Sequence, residues 1–66
     1  MMSYADTNQA IRFIVIEFTA KGPKTAYTGT DPAEAKNVYS FLTNATFVRQ
    51  STESNGTIVN DTLGRK

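Results

Sequence analysis

The stretch Ile11 to Phe18, IRFIVIEF, constrains the fold of this chain more than any other. Its β-branched and aromatic residues mark a strand, and side chains along a strand alternate between two faces. Arg12, Ile14, Ile16 and Phe18 therefore share one face, and Ile11, Phe13, Val15 and Glu17 share the other. Both faces are apolar. An antiparallel sheet with one open side normally turns polar residues to it, so this strand calls for a cover on each side. Three covers are open. The first is intramolecular: residues 1–10, with Met1, Met2 and Tyr4, fold back, or the sheet curls until a second hairpin shields the face. The second is a homodimer that stacks open faces or pairs edge strands. The third is a different protein bound through an exposed apolar patch.

Size bears on that choice. A chain of 66 residues makes one domain at most, and a domain of about 60 residues buries only roughly 60% of its unfolded surface. Below about 70 residues a core rarely supplies more than ~3–5 kcal/mol, and disulfides, a metal or association commonly add the rest. The sequence has no cysteine and no histidine. Disulfides and thiolate metal sites are excluded, and the commonest transition-metal ligand is missing. Association with another chain remains, so the expected partners are another protein or a second copy.

The other segments complete an outline. Residues 1–10 read as a flexible N-terminal arm, 11–63 as a single domain, and 64–66 as a C-terminal tail. Gly22 and Pro23 mark a turn, since glycine accepts positive φ and proline presets its own. Thr25 to Thr28 is then a short second strand, hairpinned to the first. In GTDPAEAKNVYSFLTN, Asp31 is placed as an N-cap, Pro32 sits at the first helical position, and Glu34 gives a capping-box spacing. Ala35, Val38, Leu42 and Ala45 fall on one helical face, with Tyr39 and Phe41 flanking it, while Lys36, Asn37 and Ser40 face water. Asn44 is the expected left-handed end of the helix. ATFVRQST resumes strand character, Asn55-Gly56 fits a two-residue type I′ turn, and TIVND returns. The order β-β-α-β-β defines a small α+β domain, one helix packed on one face of a mostly antiparallel sheet with the first strand central.

Catalytic chemistry is hard to find in these residues. Without His or Cys, the Ser-His-Asp and Cys-His constellations and an ordinary zinc hydrolase are excluded. Asp31 and Glu34 are explained by the helix start, where the dipole favours negative charge. The Gly29-Thr30-Asp31 run has one glycine and no lysine, unlike a phosphate loop. No enzyme activity and no cofactor is expected. Lys21, Lys24, Tyr27 and Arg49 are the candidate partner-binding residues, basic and aromatic groups at a turn and on strands. Such groups can also grip phosphates and stack bases, so a small nucleic-acid-binding domain is the alternative. A homo-oligomeric assembly component is another. The net charge of +1 selects no partner. The sequons at Asn44, Asn55 and Asn60 are attributed to an Asn-, Ser- and Thr-rich composition. The N-terminal residues show no secretory or myristoylation pattern and no apolar run is long enough to span a bilayer. The expected location is the cytoplasm, that of the host if the protein is viral. In size and outline alone, with no shared motif, the chain is similar to small accessory and inhibitor proteins of bacteriophages and other mobile elements. That likeness implies steric blocking of a host protein complex.

Overall fold

The computed structural model describes residues 10–66; the residues expected to form an arm lie outside the described residues except Ala10, which opens the first strand. The order is β1 (Ala10–Thr19), β2 (Gly22–Gly29), α1 (Pro32–Phe41), β3 (Ala45–Thr52) and β4 (Ile58–Arg65). All four strands form one antiparallel sheet in the order β2-β1-β3-β4. This is the α+β arrangement that the sequence predicts, and β1 is interior to the sheet. The second hairpin lies beside β1 within the sheet, so it does not fold over either face.

Each turn is set by local chemistry. The first hairpin reverses through Ala20 and Lys21, and Gly22, at φ +115°, opens β2. Thr19 Oγ1 donates to Gly22 O at 2.8 Å and accepts from Lys21 N at 3.2 Å, closing the turn. Proline is tolerated at Pro23 because β2 is an edge strand, where a missing N–H leaves no ladder bond unmade. The second hairpin differs from expectation. Asn55 does not take positive φ, as a type I′ turn requires; its Oδ1 accepts from Thr57 N at 3.0 Å. Gly56 alone is left-handed, at φ +87°. Its N–H donates to Glu53 O at 2.9 Å, and Glu53 N donates to Thr57 O at 2.8 Å. The loop is thus the longer hairpin form in which a turn is followed by a left-handed glycine.

The helix begins as its sequence dictates. Asp31 is extended, and its Oδ1 accepts from Ala33 N at 3.0 Å and Glu34 N at 3.4 Å, with Pro32 in the first turn. Such a cap contributes about 1 kcal/mol. The other end departs from expectation. Leu42, not Asn44, is the C-cap; it is extended, and no non-glycine residue among those described has positive φ. Chain reversal is therefore immediate, and Ala45 is the buried first residue of β3 instead of a helical one. Phe41, expected to flank the buried stripe, is 80% exposed. It follows Ser40 on the outer side, away from Ala35, Val38 and Leu42, which pack inward.

The core is small. Val15, Ala35, Ala45 and Phe47 are buried, and Phe13, Ala26, Tyr27, Val38, Tyr39 and Leu42 pack on them. Ten helical residues reach only about 15 Å, whereas the ten of β1 reach about 33 Å. Helix α1 consequently shelters part of its face, resting on β1, β2 and β3. Residues 64–66 are not a tail. Gly64 and Arg65 lie in β4, and Lys66 N donates to Ala45 O at 2.8 Å. Lys66 Nζ then reaches the end of α1, donating to Tyr39 O at 2.9 Å, Leu42 O at 2.9 Å and Ser40 O at 3.3 Å. An ammonium at a helix C-terminus satisfies carbonyls that lack intrahelical partners and complements the dipole.

Candidate functional site

Residues directly opposite one another in an antiparallel ladder share a face, so the register assigns every strand residue to a side. Val15 is opposite Phe47 and Tyr27, and these line the helix side. Ile14 is opposite Thr28 and Val48, and Val48 is opposite Thr62. Ile16 is opposite Thr25 and Thr46, and Thr46 is opposite Arg65. Phe18 is opposite Pro23, and Arg12 is opposite Gln50, which in turn meets Asn60. The side away from the helix therefore has an apolar centre of Ile14, Ile16, Phe18 and Val48. Threonines and amides surround it, with Arg12 and Arg65 among them.

None of the described residues covers this centre. Val15, on the helix side, is wholly buried, whereas its neighbours Ile14 and Ile16 are only half-buried and Phe18 is 43% exposed. Charge is also one-sided. Glu17, opposite Lys24 and Ala45, and Asp61, opposite Arg49, stand on the helix side. Asp31, Glu34 and Glu53 lie in α1 or the loops beside the strands. Among the strand residues, the charges on the open face are thus Arg12 and Arg65, both cationic.

The four residues singled out from sequence do not converge. Lys21 is exposed in the first turn, and Lys24 is exposed on β2 facing the helix side. Tyr27 is half-buried against the helix start, its hydroxyl donating to Asp31 O at 3.4 Å. Desolvation there, reinforced by the Glu34 carboxylate, raises its pKa above the ordinary phenol value. Arg49 lies on β3 and binds Asp61 at 3.1 Å. Four residues and two strand spacings separate it from Lys24, roughly 16 Å. The Tyr27 ring packs against the core.

Two depressions lie on the helix side. One, of about 250 Å³, is bounded by Ile11, Arg49, Ser51, Thr52 and Glu53; the other, wide and shallow, runs along Asp31, Glu34, Lys36 and Ser40 on the outer helix surface. In the second, the Ser40 hydroxyl donates to Asn37 O at 2.7 Å and not to a carboxylate. Among the described residues no three Asp or Glu side chains come close enough to hold a metal ion, and no helix is long and apolar enough to cross a membrane. The open apolar centre was readable in the alternation of Ile11 to Phe18. Its cationic rim was not, because Arg65 reaches it only through the register of β4 against β3.

Comparison with protein-family models, with curated proteins and with solved structures gave no match to this chain.

Proposed function

We propose that the protein is a non-enzymatic interaction domain that docks a partner protein on the helix-free face of its sheet. The observation that carries this reading is the apolar centre of Ile14, Ile16, Phe18 and Val48, which none of the described residues covers. An apolar centre inside a polar rim is the usual anatomy of a protein interface, and contiguous exposed apolar surface marks such sites. The rim charges, Arg12 and Arg65, favour a partner with apolar groups inside an acidic border. A domain this small, bound to a larger complex, acts by occluding the surface it sits on. Blocking of a host machine, in the manner of small phage-encoded inhibitors, is the specific form of this proposal.

The test compares two variants in capture from an extract of the source cells. Phe18→Glu with Arg12→Glu alters the open face at exposed positions, and Lys21→Glu with Lys24→Glu alters the first turn. Capture of the specific partner is expected to fall more than about tenfold in the first, since a carboxylate desolvated in an apolar interface costs several kcal/mol. It is expected to change little in the second. Full capture by the face variant overturns the proposal, and loss confined to the turn variant moves the site to Lys21 and Lys24.

A further inference from the structure

The two edges of the sheet are built differently. The outer edge of β2 is blunted by Pro23, which lacks an N–H, by Lys24, and by the bulge that sets Ala26 outside the pairing with β1. These are devices that keep an edge from pairing. From Ile58 to Thr62 the outer edge of β4 has no proline, no lysine and no bulge, and its one charge, Asp61, is paired with Arg49 of β3. Its irregularity comes only afterwards, where Leu63 is left out between Thr62 and Gly64.

The phase of the ladder fixes what that edge presents. Glu53 N bonds Thr57 O at 2.8 Å, and bonded and non-bonded pairs alternate along an antiparallel ladder. The pairs Thr52–Ile58, Gln50–Asn60 and Val48–Thr62 are therefore the non-bonded ones. The N–H and C=O groups of Ile58, Asn60 and Thr62 consequently point away from β3, toward the free edge.

We propose that β4 pairs antiparallel with β4 of a second copy about a two-fold axis at Asn60, joining two sheets into one of eight strands. Antiparallel pairing of a strand with itself is self-complementary, as a two-fold dimer requires. In this register Asn60 meets Asn60, and Ile58 meets Thr62 of the second copy, so every outward N–H and C=O of the three residues is used. Centring on Asp61 sets two carboxylates opposite each other, and centring on Val59 leaves Thr62 beside the turn without a strand partner. Each Asp61 is held by Arg49 of its own chain at 3.1 Å and faces Val59 across the seam. Stacking of the open faces is disfavoured as the route to a dimer, because Arg12 and Arg65 would meet like charges. The two-fold axis stands perpendicular to the sheet. Both helices then lie on one side and both apolar centres on the other, a doubled surface of the same character. The dimer follows from the edge alone and does not depend on the partner proposed above.

The test combines sedimentation over a concentration series with amide hydrogen exchange read by NMR. The wild-type mass is expected to rise about twofold from 7.3 kDa, with the Ile58, Asn60 and Thr62 amides gaining protection in step. Asn60→Pro removes an N–H that β3 does not use, so the variant is expected to stay monomeric with the Val59 and Asp61 amides still protected. Asn60→Lys, which places two ammonium groups at the axis, is expected to be monomeric as well, and it serves if the proline variant fails to fold. A wild-type chain that stays monomeric at millimolar concentration overturns the proposal. So does a dimer that survives both variants, or one in which the Ile58, Asn60 and Thr62 amides exchange freely.

Discussion

Replacing Phe47 with alanine is expected to leave little folded protein at room temperature. Phe47 is the largest of the four buried core residues, and its ring centroid lies 6.2 Å from Phe13 and 5.5 Å from Tyr39. It joins β1, β3 and α1 in one cluster. Truncating a buried phenylalanine costs about 3–5 kcal/mol, and a core of this size supplies ~3–5 kcal/mol in all. Loss of one side chain thus equals the whole margin. A urea titration followed by circular dichroism is expected to show no folded baseline for Phe47→Ala, and a shifted but cooperative transition for Phe47→Leu, which keeps most of the volume. A stability loss below about 1 kcal/mol for Phe47→Ala would mean that the core lies elsewhere.

The second large effect concerns Gly64. A Cβ placed there would stand 2.9 Å from the Tyr39 hydroxyl oxygen and 3.2 Å from two atoms of its ring. The ring has little room to give way: Phe47 packs on it, and Lys66 Nζ sits 4.7 Å from its centroid while bonded to the last carbonyls of α1. Gly64→Ala is expected to destabilise the domain by about 2 kcal/mol, a typical cost of overpacking. The clash predicts a reversal of sign. In a Tyr39→Ala background, itself destabilised, Gly64→Ala is expected to be neutral or to add a few tenths of a kcal/mol, because alanine holds extended backbone better than glycine. A thermal denaturation cycle over the four proteins reads this coupling directly. Equal costs in both backgrounds would show that Tyr39 does not press on Gly64.

These two residues show where sequence reading stops. The signals that were legible are local ones. The alternation of Ile11 to Phe18 gives a two-faced strand, and Asp31-Pro32 marks the helix start. Gly22 and Gly56 mark the two reversals, although each turn is formed differently from the expectation drawn from Pro23 or Asn55. What was hidden depends on residues far apart in the chain. Lys66 looks like a solubilising terminal charge, yet it caps a helix that ends 25 residues earlier at Phe41. Phe41 looks like core by type and faces water, since the helix turns Ala35, Val38 and Leu42 inward. Lys21, Lys24, Tyr27 and Arg49 stand out by charge and aromaticity, but the strand register sets them apart, with Arg49 paired to Asp61 and Tyr27 packed at the helix start. The open face stood in the sequence as an excess of apolar residues on β1. Its cationic rim needed the register of all four strands.

That face carries the account, and its exposure can be measured without knowing the partner. A neutral, soluble paramagnetic probe broadens the NMR signals of methyl groups that solvent reaches. In dilute wild-type protein the methyls of Ile14, Ile16 and Val48 are expected to broaden strongly with added probe, while those of Val15 stay sharp. Protection of Ile14, Ile16 and Val48 equal to that of Val15 would contradict the account, because the face would then be covered within the chain.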